Sequence, residues 1–233
     1  MITIPDTSRG TVIFRLTPAR CNIFVVSRQG RVILVDTGMH ADRGRVESAL
    51  SRKGIVPEAV VLTHTHFDHA GNAAWLAREY GAEIIVNERE SEFLAKGCTP
   101  IPSGTMSFTK GLVSIGRRIT PVFNYEPCRA DHVFDETFDL GRYGLNGFVM
   151  HTPGHCAGES AVIIDGDVAI VGDSLINIST VKIFPPFADD VSELLRSWEK
   201  LIATGCHTFL PGHGGAISVE ELSREYEKRS VLF

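Results

Sequence analysis

Three histidines and one aspartate fall within six positions, His64-Thr65-His66-Phe67-Asp68-His69, directly after the apolar run Ala59-Val60-Val61-Leu62. The run reads as a buried strand over 59–62, and Ala70 to Tyr80 carries a helical pattern, so the cluster occupies a strand-to-helix turn. Functional groups collect at that end of a strand in α/β proteins. In an extended segment residues i and i+2 project to one side, so His64 and His66 aim two imidazoles at one point while Thr65 points away. Asp68 and His69, adjacent where the chain turns, diverge toward a second point nearby. A lone histidine is ordinarily a satisfied core or surface residue. Three crowded together depress one another's proton affinity and gain nothing structurally without a cation, which makes the pattern a metal site.

The rest of the chain alternates strand and helix signals. Residues 11–17, 21–27 and 31–36 are rich in β-branched and aromatic types, with Gln29-Gly30 as a tight turn between the last two. The third ends in Asp36-Thr37-Gly38, which as a local feature is a turn whose aspartate caps backbone amides. Helical patterns follow at 42–53, stopped by Gly54, and at 87–96, where Asn87 is placed to cap. Further strands are expected at 83–86, 132–134, 137–140, 145–152, 160–165, 167–171 and 207–210. Asp189 to Thr204 reads as an amphipathic core helix, and Ser218 with Glu221 forms a capping box for a last one. From 97 to 130 periodicity is lost among Pro100, Pro102, Pro121 and Pro127, with Met106, Phe108, Phe123 and Tyr125 between them. Two readings stand for this segment: a lid over a substrate site, or a stretch with a short helix and strand of its own.

Composition narrows the function. The 233 residues suit a single large α/β domain over 1–233. A net charge of −5, spread without blocks, marks neither nucleic acid nor an anionic membrane as a partner. No apolar run approaches the ~20 residues of a membrane span, and Met1 to Asp6 lacks the basic and apolar regions of a secretory leader, so a cytoplasmic location is expected. The five cysteines, Cys21, Cys98, Cys128, Cys156 and Cys206, are odd in number and widely separated, as free thiols are.

Three more strand ends terminate in metal-ligand types: His155 in Thr152-Pro153-Gly154-His155, Asp173 in Gly172-Asp173, and His213 in Pro211-Gly212-His213. The glycine before each lets side chains crowd round a small object. With His64, His66, Asp68 and His69 they supply five imidazoles and two carboxylates, enough for two divalent cations. Together with Asp36-Thr37-Gly38 these motifs resemble the metallo-β-lactamase superfamily, in family order from about Asn22 to Gly214. The resemblance implies a four-layer αββα sandwich of two mixed sheets with helices outside. It also implies a ligand set: His64, His66 and His155 on one metal, Asp68, His69 and His213 on the other, Asp173 bridging, and Asp36 orienting a ligand imidazole. Zinc is the expected metal, with iron or manganese as alternatives.

Water held between two such cations has its pKa drawn from 15.7 to about 7, so a bridging hydroxide is expected to attack an ester, lactone or thioester carbonyl, with Asp68 orienting it or moving its proton. Two departures bear on substrate. Twenty residues follow His213, short of the helical region of glyoxalase II-like thioesterases, and Ile176 stands where similar lactonases carry tyrosine. Aromatic and apolar residues in 97–130 and between Ser174 and Asp189, among them Phe184 and Phe187, point to a small organic substrate with an apolar part. The alternative is a persulfide dioxygenase-like oxidoreductase with one iron. His40 is read as near the entrance, and His132, His151, His207 and Cys156 as structural.

Overall fold

Alternation along the strands decides the layering. The computed structural model describes residues 7, 9–16, 20–106, 109, 113 and 123–231. The stretch 1–6, Thr17, Phe108 and Pro121, used above, lie outside these. In chain order β1 (Val12–Arg15), β2 (Phe24–Arg28) and β3 (Arg31–Val35) run antiparallel, and β4 (Ala59–Val61), β5 (Glu83–Asn87) and β6 (His132–Phe134) then add in parallel to complete the first sheet. Ile33 and Val35 face one apolar cluster and Leu34, between them, faces another. Against the outer face pack α1 (Arg43–Lys53), α3 (Ala73–Tyr80) and α4 (Glu88–Lys96), through Leu50, Leu76 and Leu94. A single turn of helix, α2 (Phe67–Ala70), precedes α3.

The second sheet comprises β7 (Thr137–Asp139), β8 (Gly147–His151), β9 (Ser160–Ile164), β10 (Val168–Ile170), β13 (Thr208–Leu210) and β14 (Ile217–Ser218), ordered β14-β13-β10-β9-β8-β7. Val162 and Ile164 of β9 join Ile33 and Val35 between the sheets. Ala161 and Ile163 point the other way, to α5 (Val191–Ala203) and α6 (Val219–Ser230), where Trp198 and Leu222 are buried. Three apolar layers therefore separate helices, sheet, sheet and helices, the expected αββα sandwich, with strands buried on both faces.

Strand direction gathers the site. β8 and β10 both run antiparallel to β9, and β10 runs parallel to β13, so β8, β10 and β13 end at one edge. The residues after these ends are His155, Asp173 and His213. On the facing sheet β3 and β4 are parallel and end in Asp36 and the histidine turn. Ser160 N–H bonds to the Thr63 carbonyl at 2.8 Å, stitching the two sheets at that edge.

Several boundaries differ from expectation. The helix expected from Ala70 to Tyr80 is two elements, and Asp68 and His69 lie within α2 rather than in a turn. The strand expected from Leu145 starts at Gly147, because Gly141–Tyr143 form a 3-10 turn that leads into it. Between Ser174 and Asp189 an unanticipated hairpin forms from β11 (Ile176–Ile178) and β12 (Val181–Ile183). Its last residue, Ile183, has φ of 67°, costly for a β-branched side chain. Of the two phenylalanines that follow, Phe184 packs on Trp198 in the core, while Phe187 faces a cavity. Capping follows expectation, with the Ser218–Glu221 box complete and the Asn87 side chain accepting from the Arg89 N–H. Among the described residues no helix is long and apolar enough to cross a membrane.

Candidate metal centre

All seven side chains expected as ligands converge at this edge. One ligand atom each from His64, His66 and His155 lies within 4.8 Å of the others, and the same holds for Asp68, His69 and His213. Asp173 lies between the groups. Its Oδ1 is 3.4 Å from His69 Nε2, and its Oδ2 is 3.5 Å from His213 Nε2 and 3.9 Å from His155 Nε2. The extended geometry at 64–66 works as the spacing requires: Thr65 turns away and donates to a buried carboxylate while both imidazoles face inward.

Each ring is held by its far nitrogen. His69 Nδ1 donates to Asp36 at 2.8 Å, His66 Nε2 to the Pro100 carbonyl at 3.1 Å, His155 Nδ1 to the Phe187 carbonyl at 2.9 Å, and His213 Nδ1 to the Arg20 carbonyl at 2.8 Å. For His64 the Thr63 hydroxyl is 3.1 Å from Nδ1. Such bonds select the tautomer and leave the other nitrogen with a lone pair turned into the site. Asp36, with φ of 62°, also accepts the Thr63 N–H at 2.9 Å, so it caps a backbone amide and orients an imidazole at once.

Whether a cation fits is answered by the buried polar atoms. His64 Nε2, His69 Nε2 and Asp173 Oδ1 are buried without a hydrogen-bond partner, and all three belong to one further group within 4.8 Å. Orphaned buried acceptors cost free energy unless something pairs them, and divalent cations held by these groups would pair them. The backbone is shaped round the same point. A Cβ on Gly212 would sit 2.6 Å from both Asp173 Oδ1 and His69 Cε1, and Gly172, at φ of 50°, leaves room for a Glu159 oxygen that a Cβ would approach to 2.1 Å.

Electrostatics divide the imidazoles. Burial, reinforced by His69, His66 and His155, pushes His64 well below the ordinary histidine value, and burial lowers His155 to about 4. Burial also opposes charge on His213, but Asp173 and Asp68 overcome it and raise that ring to about 12. Burial would raise the Asp68 carboxyl, yet His213 and His69 outweigh it and hold it at about 2. The carboxylates thus demand positive charge at one end of the site, and neutral nitrogens are already prepared at the other.

Two carboxylates of the site escape sequence reading. Glu159, fully buried, lies 3.3 Å from His64 Nδ1 and accepts the Asp173 N–H at 3.1 Å, while burial and then the Asp173 charge push its carboxyl well above the usual range. Glu90, also buried, bonds Thr65 and Gly158. Its spacing from Leu94 places it on the buried face of α4, a signal masked by the exposed Glu88 and Glu92 around it. The weaker candidates are structural. His132 pairs with Glu83, His151 bonds the Ala157 carbonyl, His207 is exposed beside β13, and His40 stands 3.2 Å from Arg43 rather than on the cavity. Cys156 is buried, and burial pushes its thiol well above the ordinary value, so it stays neutral.

A cavity of about 460 Å³ opens onto the centre, reached by His66, Asp68, His155, Asp173 and His213. Thr99, Ile101, Pro102, Val113 and Phe123 of the aperiodic segment line it too.

Comparison with known proteins agrees with this geometry. Residues 16–213 match the metallo-beta-lactamase superfamily. An uncharacterised protein of Mycobacterium leprae is 30% identical over 86% of this chain and 89% of its own. The probable metallo-hydrolase YqgX of Bacillus subtilis is 25% identical over 84% of this chain and 86% of its own. Among solved structures, the BLEG-1 B3 metallo-beta-lactamase superposes with a TM-score of 0.67 at 22% identity, covering 90% of this chain and 94% of that one.

Proposed function

Because this chain belongs to the metallo-beta-lactamase superfamily, we propose that it is a metal-dependent hydrolase of small ester, lactone or thioester substrates. In this reading His64, His66 and His155 hold one divalent cation, Asp68, His69 and His213 a second, and Asp173 serves both. The observation that carries it is the pairing of two three-residue groups across one carboxylate, with unpartnered buried atoms aimed between them. Bound there, the cations supply a water-derived nucleophile at neutral pH and a Lewis acid for a carbonyl oxygen.

The chain's own groups do the rest. Asp68 reaches the cavity as an anion, so it accepts a hydrogen bond from the attacking water and carries a proton toward the leaving group. Asp36 and the Pro100, Phe187 and Arg20 carbonyls hold the imidazoles in register. Among the described residues lining the cavity there is no serine or cysteine to act as a nucleophile, and the Thr99 hydroxyl already donates to the Thr65 carbonyl at 2.6 Å. In this reading Thr99, Ile101, Pro102, Val113 and Phe123, the described residues of 97–130 that line the cavity, belong to a lid.

Metal analysis followed by an ester, lactone and thioester panel tests the proposal. Two zinc ions per chain, with turnover abolished by chelator and by His66→Ala or Asp173→Ala, is the expected result. Intact turnover in either metal-replete variant overturns it. One iron per chain with oxygen uptake on a persulfide would favour the oxidoreductase reading instead.

A further inference from the structure

Resting on the hydrolase reading and naming its substrate class, we propose that the cavity selects an uncharged hydrocarbon group carried next to the reacting carbonyl. What selects it is a wall whose backbone polar groups are already bonded within the protein. One end of the cavity is the metal centre, and the remainder is formed by side chains such as Pro102, Phe123, Ile176, Ile178, Pro186 and Phe187. Hydrophobic side chains alone do not make a wall apolar, because the peptide groups between them still offer donors and acceptors.

Here four carbonyls, those of Pro100, Pro185, Pro186 and Phe187, are engaged elsewhere. Pro102, Pro185 and Pro186 have no N–H. The Pro185 carbonyl accepts from the Thr105 hydroxyl at 2.9 Å and the Pro186 carbonyl from the Thr105 N–H at 3.0 Å. The Pro100 and Phe187 carbonyls hold His66 and His155. Thr99, a hydroxyl on this wall, donates to Thr65. Among the described residues, no lysine or arginine lines the cavity. Among the described residues of this wall, a carboxylate or ammonium on the substrate's tail would lose its water and find no partner, whereas a hydrocarbon tail loses nothing. The volume of about 460 Å³ is within the range of small-molecule sites.

The probes are alkanehydroxamates from acetyl to octanoyl, titrated against zinc-loaded protein, and straight-chain alkanols from butanol to octanol, titrated against metal-free protein. Affinity is expected to rise about fourfold per methylene in both series until the cavity is filled, the equivalent of roughly 0.8 kcal/mol per buried CH₂. A hydroxamate whose tail ends in a carboxylate should forfeit that gain. Ile178, 38% exposed at the rim, can be changed to lysine without disturbing the core, and Ile178→Lys should restore the carboxylate-ended tail while weakening the methyl-ended one. Flat affinity along both series, or equal binding of the two kinds of tail by the unaltered protein, overturns the proposal. Chain-dependent binding with no turnover of any ester, lactone or thioester sinks the hydrolase reading and leaves the selective wall standing.

Discussion

Glu90 grips Thr65 at two points, accepting both its backbone N–H, at 3.0 Å, and its hydroxyl on Oε2, while Oε1 accepts the Gly158 N–H at 3.3 Å. Thr65 lies between His64 and His66, and Gly158 lies three residues beyond His155. One buried carboxylate from α4 therefore braces both turns that carry the first group of imidazoles.

Glu90→Ala leaves the buried N–H groups of Thr65 and Gly158 without acceptors, at roughly 1–3 kcal/mol each, while the Thr65 hydroxyl keeps Thr99 Oγ1 at 2.9 Å. The thermal midpoint is expected to fall sharply and zinc affinity to fall with it. Glu90→Gln keeps one acceptor oxygen and should lie between. Calorimetry and a chelator competition read both effects, and wild-type zinc affinity in a folded Glu90→Ala protein would contradict the bracing role.

Asp36 orients His69 directly and His64 only at one remove, through the Thr63 hydroxyl. With its 2.8 Å bond to His69 removed by Asp36→Ala, that imidazole is free to rotate or change tautomer. Loss of such a partner typically costs 10–100-fold in metal affinity. If two ions are held as proposed, the loss should be larger for the one on His69, visible as a biphasic chelator titration, and an equal loss from both would count against it.

Gly212 has no room for a methyl group. Gly212→Ala places a carbon 2.6 Å from Asp173 and His69, so metal content should drop while circular dichroism stays unchanged. Gly44, in the first turn of α1 with open space around it, provides the contrast. Gly44→Ala is expected to leave metal content alone and stabilise by about 0.5–1 kcal/mol. Similar metal content in the two variants would refute the close-approach argument.

Away from the centre, Glu83 ties β5 to the turn before β8. The Tyr143 hydroxyl first, helped by His132 and Arg142, holds its carboxyl below the ordinary glutamate value against the opposing effect of burial. Because the folded pKa is the lower one, the contribution is complete above the unfolded value of about 4.3 and disappears as pH falls through the folded one. Urea midpoints of wild type and Glu83→Gln should differ at pH 7 and converge as the pH is lowered below the ordinary glutamate range. A gap that persists in acid would show that the ion cluster is not its source.

Much of this was legible along the chain because it is local. His64 and His66 share a side through strand geometry, and glycine before Asp173 and His213 announces crowding. The apolar runs name both sheets, and a seven-ligand set in family order names the sandwich. Glu90 and Glu159 were not legible. A carboxylate is buried only where donors meet it, and those donors, Thr65, Gly158 and the Asp173 amide, come from remote parts of the sequence.

Phe184 and Phe187 draw the same line more finely. Three positions apart and alike in chemistry, they go to different places, Phe184 into the core and Phe187 to the cavity, with Pro185-Pro186 between them. Residue type and spacing were enough to single out the candidate ligands, while the carbonyls and carboxylate that orient their rings come from remote parts of the chain. The cavity's apolar character was decided by folding, because a peptide carbonyl is silent only after a distant donor such as Thr105 or His66 has reached it.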